Sequence, residues 1–202
     1  RTSAAGIAGG RCIRNSATAP IAGGKCPGEM MDSAIEEPGR SVPGVVERHV
    51  VLVAPEVHWN TGNIGRTCLG AGAFLHLVKP LGFSLADRQV KRAGLDYWPK
   101  VRLSVWESCD EFFTATAPAP AETAVFAKTG SRPFWEMDRP RRLFLVFGSE
   151  TKGLPADVLA RYPERTYHIP ITREVRCLNL STSVGIALYE SLRTLSPTHA
   201  WS

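Results

Sequence analysis

The chain has 202 residues, 44% of them apolar, which suits one packed domain with a tail. Its formal net charge of +5 favours a polyanionic partner, and no apolar run approaches membrane-spanning length. The five cysteines (Cys12, Cys26, Cys68, Cys109, Cys177) are scattered and form no Cys-x-x-Cys pair, which argues against a disulfide scaffold or a metal site and for reduced thiols.

Residues 1–46 are rich in Ala, Gly, Ser and Pro and show no sustained periodicity. Arg1, Arg11, Arg14 and Lys25 all precede the first acid, Glu29. Such a stretch buries too little apolar surface to offset its ordering entropy, so a disordered basic extension is expected. The same Arg-rich, Ser-rich, acid-poor composition also fits an organelle transit segment, so the expected location is the cytoplasm or an organelle (chloroplast or mitochondrion).

The folded part opens at Val50–Val53, a short buried strand. Asn60-Thr61-Gly62-Asn63 reads as a helix start with polar capping groups, and the helix runs from Ile64 to Ala71 with Arg66 on its first turns. Phe74–Val78 is the next strand, ended by Pro80-Leu81-Gly82. Asp87–Ala93 is a short basic helix with Arg88, Lys91 and Arg92. Val101–Trp106 is a strand, Cys109–Ala115 a helix and Thr123–Ala127 a strand, with an Ala-Pro connector from Thr116 to Ala121. Strand and helix alternating at this spacing argue for an α/β fold, a mostly parallel sheet with helices on both faces.

The C-terminal third is the most informative. Leu143–Phe147 is a fully buried strand that stops at Gly148, followed by a polar turn to Gly153 and by Pro155 at a helix start. A short strand from Tyr167 to Ile171 leads into a charged loop with Arg173, Glu174 and Arg176. The last helix carries Val184, Ala187, Leu188, Leu192 and Leu195 on one stripe. Two loop-rich strand exits set side by side are where an open α/β sheet binds its ligand.

Neither common nucleotide motif is present. Gly148-Ser149-Glu150-Thr151-Lys152-Gly153 has the outer glycines of a phosphate-binding loop, but Leu154 and Pro155 stand where Lys and Ser or Thr should follow, and Glu150 would repel a triphosphate. Gly70-Ala71-Gly72 lacks the third glycine of a dinucleotide fingerprint.

Three ordered segments resemble the motifs of the SPOUT superfamily of RNA methyltransferases. They are Asn60-Thr61-Gly62-Asn63-Ile64-Gly65-Arg66, Phe147 to Pro155, and Ile169-Pro170 followed by Leu178-Asn179-Leu180-Ser181. Arg92-Ala93-Gly94-Leu95-Asp96-Tyr97 resembles one subfamily, the small tRNA (cytidine/uridine) 2′-O-methyltransferases that act on the wobble nucleotide. The likeness spans roughly Val50 to Leu195. It implies a methyltransferase domain over 47–197 with a tail at 198–202, a C-terminal trefoil knot, a homodimer and S-adenosylmethionine as methyl donor. Periodicity and composition show no knot, and general topology rules disfavour one.

Carried over residue by residue, the resemblance implies a cofactor site at Phe126 or its neighbour Ala127, Gly148, Ile169, Cys177 and Leu178. An adenine ring needs an apolar slot with a few backbone donors and acceptors, which Ile169, Leu178 and the glycine-bearing loops can supply. Arg66, Asn179 and Glu150 are the implied catalytic residues. A 2′-hydroxyl is a weak nucleophile at neutral pH, so it must be held in line and its proton drawn away. Arginine is too hard to deprotonate to be a simple base. Arg66 would fix an RNA phosphate and polarise the hydroxyl, with the phosphate taking the proton. Asn179 would orient substrate or loop, and Glu150 would hold the loop geometry or Arg66 itself. The ordinary alternatives are a surface cation for Arg66, a helix N-cap for Asn179 and core duty for Ile169. Departures from the family pattern are Ser149 for Pro, Lys152 for Arg, Cys177 for Ser, and Ala127-Lys128-Thr129-Gly130 for Thr-Thr-Lys-Gly.

The expected partner is tRNA through its anticodon stem-loop, with no membrane and no metal. Phosphate contacts are expected from Arg88, Lys91, Arg92, Arg173 and Arg176, with Arg139, Arg141 and Arg142 as further basic groups. Trp59, Tyr97 and Trp98 are candidates for stacking an unpaired base, with core packing as the alternative. The function these features imply is S-adenosylmethionine-dependent 2′-O-methylation at the wobble nucleotide. Alternatives are a ribosomal-RNA 2′-O-methyltransferase of the same superfamily and a catalytically silent RNA-binding relative.

Overall fold

A computed structural model describes residues 46–84 and 97–193. The expected basic helix at 87–93, with Arg88, Lys91 and Arg92, lies outside the described residues, as do Leu195 and most of the N-terminal extension. The elements run β1 (Glu47–Val53), α1 (His58–Gly70), β2 (Phe74–Val78), β3 (Arg102–Trp106), α2 (Cys109–Thr116), β4 (Thr123–Phe126), β5 (Arg132–Pro133), β6 (Arg142–Phe147), α3 (Ala156–Arg161), β7 (Thr166–His168) and α4 (Leu180–Leu192). They form one seven-stranded sheet in the order β3-β2-β1-β6-β4-β7-β5, with every pairing parallel.

The central strands read as unbroken apolar runs because both faces of the sheet are covered. Val50 and Leu52 of β1, with Leu143, Leu145 and Phe147 of β6, pack against Ile64 and Cys68 of α1 and Val184, Ala187 and Leu188 of α4. The alternate residues, Val51, Val53, Phe144 and Val146, pack on the other face with Phe112 and Phe113 of α2 and Val158 of α3.

Two polar devices sit inside this core. Arg48, 2% exposed, spends its guanidinium on neutral acceptors. It donates to the Ser191 hydroxyl (3.0 Å) and carbonyl (2.9 Å) and to the carbonyls of Glu47, Pro140 and Arg141 (3.0 Å each). Burial, with Arg139 close by, lowers its pKa from 12.5 to about 10, which keeps it charged at neutral pH. Arg139 donates to the Glu190 carbonyl (3.1 Å) and pairs with the Glu190 carboxylate, so two cations meet the negative C-terminal end of α4. On the opposite face, Trp106 Nε1 donates to His76 Nδ1 (3.2 Å), and His76 Nε2 lies 3.0 Å from His49 Nδ1. His76 must therefore carry its proton on Nε2 and donate to His49. Desolvation holds both imidazoles far below the ordinary histidine pKa, and for His49 the neighbouring His76, Arg142 and Arg48 add to it.

Three expectations need correction. The exits of β6 and β7 are not side by side, since β4 lies between them. The last strand stops at His168 rather than Ile171. Helix α1 starts at His58, with Val57 at its N-cap position and no side-chain cap, so Asn60 is a first-turn residue and not a capping group.

Candidate active site

The carboxyl ends of β1, β4, β6 and β7 lie along one edge of the parallel sheet, and the site is built from the loops that leave them. After β6 the chain turns tightly. Ser149 and Gly153 exchange backbone hydrogen bonds of 3.1 and 3.0 Å, Gly153 takes φ +70°, and the Ser149 hydroxyl accepts from the Lys152 N–H at 3.1 Å. A side chain at Gly148 would collide with the backbone of Gly153 and Leu154. The missing Cβ at Gly148 therefore serves the closure of the loop itself. Leu154 then drops into the core beside Val158 and pins the far side of the turn.

This turn presents Glu150 to the start of α1. One carboxylate oxygen accepts from the Glu56 N–H and the other from Asn60 Nδ2, each at 2.8 Å. The Asn60 carbonyl oxygen accepts from Asn179 Nδ2 at 2.9 Å. Asn179 in turn caps α4, its Oδ1 accepting from the Ser181 N–H (2.8 Å) and hydroxyl (2.7 Å). One hydrogen-bonded chain, Glu150–Asn60–Asn179–Ser181, thus joins three segments far apart in sequence. Both Glu150 oxygens are thus engaged at the start of α1, and among the described residues Arg66 is not one of their partners. Thr151 adds a bond of 2.6 Å from its hydroxyl to the Glu56 carboxylate.

The apolar side of the site comes from the neighbouring exits. Phe126 is 7% exposed and stacks on Phe147 with centroids 4.7 Å apart, so its side chain belongs to the core. The next residue, Ala127, is half-buried and donates its N–H to the Tyr167 carbonyl at 3.0 Å. Gly130 abuts the Tyr167 backbone so closely that a Cβ would collide with it. Ile169 and Leu178 are half-buried, whereas Cys177, Arg173 and Arg176 are exposed in the loop before α4. Gly148 precedes Glu150 by two residues and Leu178 precedes Asn179 by one, so the Glu150–Asn60–Asn179 chain holds both ends of the expected cofactor site together. Backbone-lined exits with half-buried aliphatic side chains fit an adenosyl group in donor set and polarity.

Arg66 is set apart from this chain. It lies six residues after Asn60, about 9 Å along the helix axis, and is exposed. Its guanidinium sits over the Tyr97 ring, 4.7 Å from the centroid, and among the described residues it forms no ion pair with Glu150. The Tyr97 hydroxyl donates to the Gly62 carbonyl at 3.1 Å, and the Trp98 ring fills the notch left by Gly65. Of the stacking candidates, Trp59 is 57% exposed and Tyr97 and Trp98 are half-buried. Arg139 and Arg142 are engaged by Glu190 and Glu122, and Arg142 starts β6 at the sheet edge opposite the site. Sequence reasoning missed Asn60 as the bridging residue. No local signal marked it, because Asn60 reads as a cap until the helix is seen to start at His58. Among the described residues no cluster of His, Cys, Asp or Glu could hold a metal ion, and no helix is long and apolar enough to cross a membrane.

Residues 47–189 match the model of the SpoU rRNA Methylase family. A curated tRNA (cytidine(34)-2'-O)-methyltransferase from Burkholderia ambifaria is 45% identical over 146 residues, which is 72% of this chain and 94% of that protein. A solved structure described as giving insights into the 2-OH methylation of C/U34 on tRNA aligns with TM-score 0.66 and 43% identity, covering 74% of this chain and 97% of the other. An AdoMet-bound rRNA methyltransferase from Sinorhizobium meliloti aligns with TM-score 0.68 and 26% identity, covering 76% of this chain and 59% of that one.

Proposed function

This chain belongs to the SpoU rRNA Methylase family, and from that premise we propose that it methylates the ribose 2′-hydroxyl of the wobble nucleotide, cytidine or uridine 34, in tRNA. The observation that carries this reading is the Glu150–Asn60–Asn179 chain, which gathers all three motif segments at one sheet edge. The choice of tRNA over ribosomal RNA rests on likeness. Identity to the tRNA enzyme is 45% over nearly its whole length, against 26% to the ribosomal-RNA enzyme.

S-adenosylmethionine, held by backbone around Gly148 and Ala127 and by Ile169, Leu178 and the Cys177 backbone, supplies an electrophilic methyl group. Phe126 contributes through its backbone and its stacking under the site. The chain must place the 2′-hydroxyl in line and relieve it of one proton. Arg66, exposed and free of any carboxylate among the described residues, binds an RNA phosphate and polarises the hydroxyl, and that phosphate accepts the proton. Asn179 and Glu150 hold the loops around the reacting groups. Arg173 and Arg176 in the loop before α4, with Arg88, Lys91 and Arg92, meet the phosphates of the anticodon stem-loop.

Two further family features complete the reading. Strands β6 and β7 insert between strands that precede them in sequence, which supports a trefoil knot in the C-terminal part. The exposed stripe Trp59, Asn63, Arg66 and Gly70 on α1, beside exposed Tyr189 of α4, supports a homodimer packed through these helices. The methyltransferase domain is assigned to 47–197.

Nucleoside mass spectrometry of tRNA incubated with the protein and labelled donor tests the proposal. The expected product is 2′-O-methylcytidine or 2′-O-methyluridine at position 34. Label found in ribosomal RNA alone, or in no RNA, would overturn it.

A further inference from the structure

Arg66 is held differently from most arginines of the described residues; with Arg102, which lies over the Phe74 ring, it has an aromatic partner and no carboxylate. Arg132, Arg139, Arg142, Arg161, Arg165 and Arg193 each pair with a carboxylate, and Arg48 is saturated by neutral oxygens. Arg66 instead rests on an aromatic face, its guanidinium carbon 4.7 Å from the Tyr97 centroid. A carboxylate partner would cancel the charge and occupy N–H donors. A ring does neither: it attracts the cation through its quadrupole and leaves the in-plane N–H groups pointing outward. The ring is itself fixed to the helix it serves. The Tyr97 hydroxyl donates to the carbonyl of Gly62, one turn before Arg66, at 3.1 Å. The next residue, Trp98, occupies the notch over Gly65, where any larger residue would collide with its ring. Gly62, Gly65 and Arg66 thus form one face of α1 on which the Tyr97-Trp98 pair is seated.

We propose that Tyr97 is a positioning residue for Arg66, holding the guanidinium in a fixed direction and fully charged for an anionic RNA group. This rests on the reading of Arg66 given above. The ring sets where the cation points, and the Gly62 anchor sets where the ring lies. Loss of the ring leaves the charge in place but free to rotate, so it acts on turnover and not on cofactor binding.

The experiment compares wild type, Tyr97→Phe, Tyr97→Leu, Arg66→Ala and the double variant Arg66→Ala/Tyr97→Leu, using full-length chain, tRNA transcript and labelled donor. Tyr97→Leu is expected to lower kcat by about tenfold or more while KM for S-adenosylmethionine stays within about twofold. Tyr97→Phe, which keeps the ring but loses its Gly62 anchor, falls between wild type and Tyr97→Leu, and Tyr97→Leu adds nothing to Arg66→Ala. NMR of the wild type gives a readout independent of any variant's folding, since the ring current shifts the Arg66 side-chain resonances upfield. Unshifted Arg66 resonances, a fully active Tyr97→Leu beside an inactive Arg66→Ala, or losses that multiply in the double variant each overturn the inference and leave the proposed function standing. A fully active Arg66→Ala removes the catalytic reading on which it rests.

Discussion

Asn60 and Glu150, 90 residues apart in sequence, are joined side chain to side chain at 2.8 Å. The bond ties the first turn of α1 to the loop after β6, and the other end of the same amide takes Asn179. Asn60→Ala leaves two polar groups at the site without their partner. The expected cost is about 1–3 kcal/mol of stability, with weaker S-adenosylmethionine binding. Asn60→Asp should be worse than Ala, because it sets a second carboxylate against Glu150. Denaturant unfolding and calorimetry with the donor check both, and a neutral Asn60→Ala would remove the bridge from the account.

Arg66→Ala should lower turnover by on the order of a hundredfold or more with cofactor affinity near normal. Arg66 takes no part in the Glu150–Asn60–Asn179 chain that supports the proposed cofactor loops, so the two effects separate. Single-turnover methylation and calorimetry together distinguish this from general destabilisation.

Gly148 and Gly153 make different demands on the same turn. At Gly148 an added Cβ meets backbone, which cannot give way, so Gly148→Ala should cost about 1–3 kcal/mol and displace the loop that carries Glu150. At Gly153 there is open space but φ is +70°, so Gly153→Ala should cost roughly 1–2 kcal/mol through backbone strain alone. Cofactor affinity should fall for the first and change little for the second.

The His49–His76 pair makes stability depend on pH in a defined direction. Both folded-state pKa values lie below the ordinary 6.5, with His76 lowered to about 3. The stability linked to their neutral forms is therefore fully present above pH 6.5. It is lost as pH falls from there toward 3, because the unfolded chain takes up protons that the folded chain does not. Each histidine contributes a slope of up to ~1.4 kcal/mol per pH unit in that window. Unfolding midpoints at pH 7 and pH 5 should show it, and His49→Phe should lose one proton's share of the slope.

Much of this architecture was legible because buried strands announce themselves. The run through Leu143–Phe147 has no polar interruption, Phe74–Val78 has only His76, and the helix expected from Cys109 begins there, with the Ser108 hydroxyl accepting from the Glu111 N–H. The start of α1 was not legible, because Asn60 resembles a cap while its bonds go to residues 90 and 119 positions away. Strand β5, two residues containing Pro133, carries no periodic signal at all. Arg48 and His49 precede the strand expected from Val50, yet they belong to it and are 2% and 9% exposed, because their partners come from α4 and β2. The gathering of Gly148, Asn179 and Asn60 followed from the motif resemblance. No local pattern encodes a hydrogen bond between a helix and a loop that distant.

The place of β6 in the sheet also shapes how the chain is made. On the ribosome, β1 emerges about ninety residues before the strand that will flank it on one side, and until then that edge has no neighbour to bond. The nascent protein must keep a slot open in its own centre and receive its final third there. Such long-range closure is slow and leaves apolar edges uncovered meanwhile. A chain cut short before β6 would therefore lack the strand between β1 and β4 and be prone to aggregate, rather than form a smaller working protein.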